Sequence, residues 1–323
     1  MSAALPLARL AETADAAPFR AWWRDVLRRF ARDRWALAAA TLLIVLHLAA
    51  IAAPWIASQV LHQSPYRAHV MDQVSVNGRA QDVVSEDGLP LGPSAAYPLG
   101  ADALGRDVLT RILFGARVSL LVSSLGTLLA VAVGLIAGLL AGYYRGWLDA
   151  AISRFIDAMM AIPVLLLAIA LAAVLKQGSV WMIVLILGLV SWTYLARLVR
   201  AEVLSLRERD FVEAARALGA ADASILLRHV LPSLTGPVVV FATLSMAGNI
   251  LLESALSFLG VGIQPPTPSW GNMIQEGVPL YTVAWWVSLF PGLAILVTVV
   301  CYNVVGEALK AAPEPGSHSA EPR

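Results

Sequence analysis

Few residues of this sequence are of a type, and in a pattern, that could break or form bonds. The two lysines, Lys176 and Lys310, do not follow a glycine, so the phosphate-binding pattern G-x-x-x-x-G-K-[ST] is absent. The patterns H-E-x-x-H and G-x-S-x-G are absent as well. His47 stands alone in an apolar run, and the single Cys301 allows no internal disulfide and no thiolate metal cluster. We therefore expect no catalytic residue, no metal site and no ATP hydrolysis in this chain.

Two polar side chains inside an apolar run could contact a polar substrate. Glu253 and Asn249 lie in a run that extends over residues 234–259. At about 1.5 Å per residue, Glu253 is about 28 Å from the start of this run and near its outer end. There a charge costs much less than the about 2.5 to 3.5 kcal/mol of the bilayer centre. Both residues are candidates for lining a transport path, and an interfacial carboxylate is the alternative for Glu253.

A polar loop over about residues 201–232 carries the densest pattern. Its candidate contact residues are Glu213, Ala214, Ala215, Leu218, Gly219, Leu231 and Pro232. Gly219 can break the loop into two short helices, and the two alanines leave room for another protein to approach closely. Pro232 is tolerated in the first turn of the helix that follows. The pattern predicts a contact element that projects from a membrane, and an amphipathic connector without a partner is the alternative.

These residues sit in a sequence with the composition of a membrane protein. Hydrophobic residues make up 59%, charged residues 14%, and the mean hydropathy is +0.72, whereas about a quarter of a soluble domain is charged. The net charge of +1 gives no reason to expect a nucleic-acid partner. Six apolar runs can cross about 30 Å of hydrocarbon as helices, over residues 35–56, 118–141, 155–175, 180–199, 234–259 and 284–305. We expect an all-α integral membrane protein with six spans, with a bend or re-entrant piece in the fifth left open.

The second run carries a stripe of small residues at every fourth position. Its members are Gly126, Ala130, Gly134, Gly138 and Gly142. Small residues at this spacing let helix backbones approach closely in lipid, where packing drives association. The stripe predicts a packing face, and Gly134, Gly138 and Gly142 are its candidate packing residues. A helix of the same chain is the favoured neighbour, and a helix of a partner is the alternative.

The positive charges predict the orientation in the membrane. Of the 23 Lys and Arg residues, six fall in segments assigned to the outside: Arg67, Arg79, Arg106, Arg111, Arg117 and Lys176. Because Lys and Arg are retained on the cytoplasmic side during insertion, both termini and the loop at Glu213 are expected to be cytoplasmic. Before the first run, aromatic residues such as Phe19, Trp22 and Trp23 lie opposite arginines at helical spacing, which predicts an interfacial helix. A cytoplasmic extension of the first span is the alternative.

The chain divides accordingly into five segments. They are a cytoplasmic tail with the interfacial helix (1–34), a first transmembrane helix (35–57), an extracytoplasmic segment (58–117), a transmembrane domain (118–310) and a cytoplasmic tail (311–323). In the extracytoplasmic segment, residues 74–78 with their Asn-Gly pair suggest a hairpin turn. His62, His69 and Asp72 are expected to be solvated loop residues rather than a metal site.

The loop at Glu213 resembles the signature of the inner-membrane permeases of binding-protein-dependent ABC importers. That signature is E-A-A, a Gly four residues later and a distal L-P, and every fixed position is present. Residues 99–107 look like the G-T-D-x-L-G-R-D segment of the dipeptide, oligopeptide and nickel permease group, with Ala101 in place of Thr. Residues 255–271 and 290–292 are similar to further segments of its C-type subunit. The resemblance covers about residues 98–310, and residues 57–97 depart from it.

The resemblance implies the type I ABC importer fold and a non-catalytic subunit in the inner membrane of a prokaryote. Its partners would be a second, B-type permease, two ATPase subunits, an extracytoplasmic binding protein and membrane lipid. ATP and Mg would be used by the ATPase subunits, and this chain would bind no cofactor. The substrates implied are dipeptides or oligopeptides. Nickel chelates or glutathione are the alternatives, and a secondary transporter or a membrane-embedded enzyme is a more distant one.

Overall fold

Helices make up most of the protein in the computed structural model, which describes residues 24, 26–76, 78–175 and 178–310. They are α1 (Arg34–Ile56), α2 (Val108–Tyr144), α3 (Gly146–Met160), α4 (Val164–Leu175), α5 (Val180–Leu206), α6 (Asp210–Ala217), α7 (Asp222–Ile225), α8 (Leu231–Phe258), α9 (Trp270–Gly277) and α10 (Trp286–Lys310). Wider π-helical turns cover Ala57–Leu61 and Leu226–Val230, and a 3₁₀ turn covers Val278–Leu280. Two short strands, β1 (Gln73–Val76) and β2 (Arg79–Asp82), form an antiparallel hairpin.

The number of spans agrees with the prediction of six. Five described helices, namely α1, α2, α5, α8 and α10, are long and apolar enough to cross a membrane, and the pair α3–α4 makes a sixth when it is counted as one. Successive spans run in opposite directions. We call the end that carries α6 and α7 the loop end, and the end that carries β1 and β2 the hairpin end. Helix α2 begins at Val108, ten residues before the predicted start of the second span at residue 118.

The third predicted span is not a single helix. Helix α3 ends at Met160, α4 begins at Val164, and the two are bent by 92°. Pro163 has no N–H to donate, and its ring disfavours the helical conformation of the preceding Ile162. The prediction of one helix over residues 155–175 was therefore wrong, because a run of apolar residues gives no information about a change of direction.

The small-residue stripe of α2 faces α5 of the same chain. A Cβ added at Gly134 would lie 2.7 Å from the carbonyl oxygen of Trp192, and one at Gly138 would lie 2.7 Å from that of Ala196. At Gly142 the nearest atom is a Val203 carbon, also at 2.7 Å. Helix backbones can approach this closely only where no side chain intervenes. The two helices consequently form a close pair that extends over most of the membrane thickness.

Exposed tryptophans mark both ends of the bundle. Trp35 and Trp147 begin α1 and α3 at the loop end, and each is about four-fifths exposed. Trp55, Trp181 and Trp285 are at least half exposed at the hairpin end. Tryptophan prefers the headgroup level, where its ring meets lipid and its N–H meets water. The two groups therefore indicate where the membrane surfaces cross the protein.

The segments outside the spans agree in part with the predictions. The hairpin predicted at residues 74–78 is present, with Val76 paired to Arg79 and Gly78 at φ +80°, although Asn77 lies outside the described residues. The predicted interfacial helix falls mostly outside the described residues, as do Phe19, Trp22 and Trp23. Residues 26–30 are helical. Asp33 then caps α1 by accepting from two backbone N–H groups, so this segment is separate from the first span.

Candidate functional site

The loop at Glu213 contains a short helix with a defined end. Helix α6 stops at Ala217, and Gly219 takes a left-handed conformation with φ +80°. The N–H of Ala220 donates to the carbonyl of Ala215, and the N–H of Gly219 donates to that of Arg216. These two bonds define a Schellman motif, in which glycine is preferred because it adopts positive φ without strain. Gly219 therefore ends the helix, as the sequence predicted.

One face of this loop is anchored in the bundle. Val212 in α6, Ile225 in α7 and Val230 before α8 are fully buried. They pack in one apolar cluster with residues of α5 such as Val199 and Val203. Leu231 and Pro232 then begin α8 and are partly buried, which agrees with the predicted start of this span. The loop is consequently a firm part of the fold and not a loose connection.

The opposite face of the loop meets nothing within the described chain. Glu213, Ala214 and Gly219 are exposed, and Leu218 is 88% exposed. A Cβ placed on Gly219 would find no atom within 4 Å. Burying an apolar side chain is worth about 1.5 to 3 kcal/mol. The exposed Leu218 side chain does not gain this free energy within the described chain. This face has the form of a docking surface for another protein.

Polar contacts join the loop to the end of α2. The Tyr143 hydroxyl donates to Asp222 Oδ1 at 2.6 Å, and Arg207 Nη1 donates to the Tyr143 carbonyl oxygen at 2.8 Å. Arg145 and Glu208 form an exposed ion pair at 2.6 Å. Sequence patterns do not indicate these contacts, because their partners are more than 60 residues apart. They make α2 the span to which the loop is most directly connected by polar groups.

The structure places Glu253 and Asn249 inside the chain. The Glu253 carboxylate is fully buried and accepts from the hydroxyls of Ser119 and Ser257, each at 2.8 Å. Asn249 donates to Thr127 Oγ1 at 2.8 Å, while its carbonyl oxygen accepts from a serine of α5. Both side chains thus tie α8 to α2. A path along the surface of this subunit would pass neither of them.

A second polar cluster lies at the hairpin end. Arg106 and Arg111 both donate to Asp102 Oδ2, at 2.7 and 2.5 Å, and both donate to Glu276 Oε2, at 2.8 and 2.5 Å. Three of these side chains are almost fully buried, and Glu276 is one-fifth exposed. The cluster joins the segment before α2 to α9. Nearby, Asp107 caps α2 through Thr110, and burial raises the pKa of its carboxyl above the ordinary value of 3.8.

The described residues contain no group of three or more His, Cys, Asp and Glu side chains that could hold a metal ion. His69 Nδ1 contacts Asp72 Oδ2 at 2.6 Å in the segment between the first two spans. This contact between one histidine and one aspartate is a local hydrogen bond.

Two family models match the chain. The model for the binding-protein-dependent transport system inner membrane component matches residues 134–315. The model for the N-terminal TM domain of oligopeptide transport permease C matches residues 21–74. The second match extends the similarity into residues 57–74, which the sequence motifs had left outside the resemblance.

Named relatives and one solved structure are also similar. The glutathione transport system permease protein GsiD of Escherichia coli O6:K15:H31 (strain 536 / UPEC) is 40% identical over 293 residues, which cover 91% of this chain and 90% of the relative. GsiD of Shigella flexneri serotype 5b (strain 8401) is 42% identical with the same coverage. A chain of the MetNI methionine ABC transporter in an inward-facing conformation has a TM-score of 0.49 and 17% identity, and the match covers 62% of this chain and 97% of that one.

Proposed function

The chain belongs to the binding-protein-dependent inner-membrane permeases of ABC importers, in the oligopeptide, dipeptide and nickel group, and we propose that its substrates are peptides. Glutathione is a specific candidate, because relatives named as glutathione permeases share 40–42% identity over 91% of the chain. Glutathione is itself a three-residue peptide, so both candidates belong to one chemical class. Nickel chelates are the remaining alternative within the group.

The loop of α6, Gly219 and α7 is the coupling element in this proposal. The observation that carries it is the contrast between the two faces of the loop, one fully packed on α5 and the other bare. An ATPase subunit would dock on Glu213, Ala214, Leu218 and Gly219. ATP binding would then favour one of two states of the permease pair, and hydrolysis would return it to the other.

The remaining parts of the proposal concern the assembly. A B-type permease would complete the path, two ATPase subunits would use ATP and Mg, and an extracytoplasmic binding protein would deliver the peptide. This chain would perform no bond chemistry and bind no cofactor or nucleic acid. It would lie in the inner membrane of a prokaryote with both termini and the loop end in the cytoplasm. Labelling from outside intact cells tests the orientation. Reaction of a Cys placed at Glu213 would show that the loop end lies outside and would contradict the proposal.

Substitution at Gly219 tests the coupling role. In liposomes with ATPase, B-type and binding-protein partners, Gly219→Leu and Glu213→Ala should lower both peptide uptake and peptide-stimulated ATP hydrolysis. Gly219→Ala is the matched control, because alanine has the same backbone strain at positive φ, about 1 to 2 kcal/mol, without the bulk. It should keep most of the coupled activity. Full coupled activity in both Gly219→Leu and Glu213→Ala would show that this loop is not the transmission element.

The substrate is tested separately through the binding protein and the complex. The binding protein should bind dipeptides, oligopeptides or glutathione, and the reconstituted complex should take up the same compounds only with ATP. Uptake of a nickel chelate without uptake of any peptide would overturn the peptide assignment and leave the family unchanged.

A further inference from the structure

A cluster of exposed arginines lies where α1 begins at the loop end. Its members are Arg28, Arg29, Arg32 and Arg34. None of the four makes an ion pair within the part of the chain that the structure describes. Asp33, the only acidic residue between 26 and 35, accepts instead from the backbone N–H groups of Trp35 and Ala36. This arginine cluster therefore carries positive charge that the described chain does not neutralise.

The arginine cluster lies at the level of the lipid headgroups. Residues 26–30 are helical and their Val26 is buried, so this segment packs on the protein. Leu27 in the same segment is 60% exposed, and Trp35, next to Arg34, is four-fifths exposed. An exposed tryptophan prefers the headgroup level. The arginines are therefore placed where the leaflet at the loop end carries its phosphates.

An open groove lies between α1 and α10. Its volume is about 350 Å³, and its apolar wall includes Ala40, Ile44 and Leu48 of α1 and Val305 of α10. His47 and Tyr302 are the polar residues of this groove. His47 Nδ1 donates to the Leu43 carbonyl oxygen at 2.8 Å, and its Nε2 contacts the Tyr302 hydroxyl at 3.2 Å. Because these polar groups bond within the chain, the groove offers an apolar surface that suits a hydrocarbon chain.

The groove lies at the depth of the acyl chains of the same leaflet. Along α1, at about 1.5 Å per residue, Ala40 is about 9 Å and Leu48 about 21 Å from Arg34. Half of the hydrocarbon core is about 15 Å thick, and the headgroup region adds about 5 to 7 Å. On α10, Val305 is about 8 Å from the end of the helix at Lys310. A lipid whose phosphate lies at the arginine cluster can thus place an acyl chain in the groove.

We propose that the arginine cluster and the α1–α10 groove form a binding site for an anionic phospholipid of the leaflet at the loop end. The guanidinium groups donate to the lipid phosphate, which arginine can bind through two parallel hydrogen bonds. One acyl chain lies in the groove. The excess of positive charge favours a headgroup with a net negative charge over a zwitterionic headgroup. This site goes beyond the transport function and does not depend on which substrate is transported.

Native mass spectrometry of the full complex in detergent tests the headgroup contact, with dioleoyl phosphatidylglycerol and dioleoyl phosphatidylcholine as probes. Each arginine near an anionic surface strengthens association about fivefold. Changing all four arginines of the cluster to glutamine should therefore weaken phosphatidylglycerol binding at least tenfold and abolish its preference over phosphatidylcholine. The matched control is Arg67→Gln with Arg79→Gln, because both arginines are exposed in the segment between the first two spans. Its phosphatidylglycerol binding should stay within about twofold of the unmodified complex.

A second pair of variants tests the groove without a change of charge. Ala40→Leu fills part of the groove, whereas Ala38→Leu adds the same atoms at an exposed position of α1 that does not line it. We expect Ala40→Leu to weaken phosphatidylglycerol binding severalfold and Ala38→Leu to leave it unchanged. Glycerol 3-phosphate, which has the phosphate but no acyl chain, should not compete at concentrations equal to that of the lipid.

Several results would overturn the lipid site. Equal binding of the two lipids, or undiminished phosphatidylglycerol binding after removal of the four arginines, would exclude an anionic headgroup at the cluster. Loss of a protein subunit from that variant, with lipid binding retained, would show that the cluster contacts a protein. Competition by glycerol 3-phosphate would indicate a site for a soluble anion. Equal effects of Ala40→Leu and Ala38→Leu would show that no acyl chain lies in the groove.

Discussion

Replacing Gly138 with alanine should weaken the α2–α5 pair by an amount that the structure sets. The new Cβ would lie 2.7 Å from the Ala196 carbonyl oxygen and 2.7 and 2.8 Å from two carbons of Val199. Favourable carbon contacts lie at about 3.5 to 4.0 Å. The carbonyl and the Val199 Cβ are fixed by the α5 backbone, so no side-chain rotation relieves the contact. The helices must separate, and overpacking of this kind costs about 1 to 3 kcal/mol.

A matched substitution isolates this cost. Gly248→Ala also lies inside a helix, but a Cβ there meets nothing within 4 Å. Both variants gain the same preference of alanine for helix, about 1 kcal/mol, so the difference between them reports packing alone. We expect Gly138→Ala to unfold more readily than Gly248→Ala by about 1 to 3 kcal/mol, or about five- to 150-fold in the equilibrium constant.

The assay is a denaturant titration of the purified complex in detergent, with tryptophan fluorescence as the signal. Equal unfolding free energies for the two variants would refute the close packing of α2 on α5. A lower stability of Gly248→Ala than of Gly138→Ala would indicate that a partner in the complex covers the bare face of α8.

Three further outcomes are expected. Tyr143→Phe removes the hydroxyl that donates to Asp222, and a hydrogen bond to a charged group is worth about 1.5 to 3 kcal/mol. We expect this variant to take up less peptide per ATP hydrolysed, whereas Tyr144→Phe, at the exposed neighbouring residue, should not. Equal uptake by the two variants would argue against transmission through α2. Glu276→Gln should lower the melting temperature, because removing one partner of a buried ion pair costs up to about 3 to 5 kcal/mol. The cost should be below this range, since Glu276 is partly exposed. An unchanged melting temperature would show that the hairpin-end cluster contributes little to stability. Because burial raises the folded-state pKa of Asp107, its contribution to stability is fully present below its unfolded pKa and is lost as pH rises through the folded pKa. Asp107→Asn should therefore reduce the fall in unfolding midpoint from acidic to neutral pH, and an unaltered pH dependence would contradict this.

The fold could be predicted from the sequence where one local property determines it. The apolar runs located α1, α5, α8 and α10 to within a few residues at most ends, because span length follows from hydrocarbon thickness. Gly219 predicted the end of α6 because the requirement for positive φ is a property of that residue alone. The bend before Val164 was missed, although Pro163 is a visible warning, because its angle depends on how α4 packs against α5.

The candidate sites were harder to predict, because their contacts join distant parts of the chain. Glu253 was proposed to line a path, yet its buried carboxylate accepts a hydrogen bond from Ser119, 134 residues earlier in the chain. The partners of Tyr143 and of Glu276 are also far away in sequence. Spacing along a helix predicts which side chains share a face. It does not identify which helix covers a given face.

The unbroken length of α2 has a mechanical consequence. Its 37 residues make a rod of about 55 Å. The hairpin-end cluster is attached near one end through Arg111, and the loop at Glu213 is attached at the other end through Tyr143. Gly134 and Gly138 hold the rod against α5 between these ends. A rod held in this way acts as a lever with unequal arms, and a tilt of about 5° about Gly134 moves the hairpin end by about 3 Å and the loop end by about 1 Å in the opposite direction. Displacement of the loop at Glu213 and displacement of the hairpin-end segment would then be a single motion.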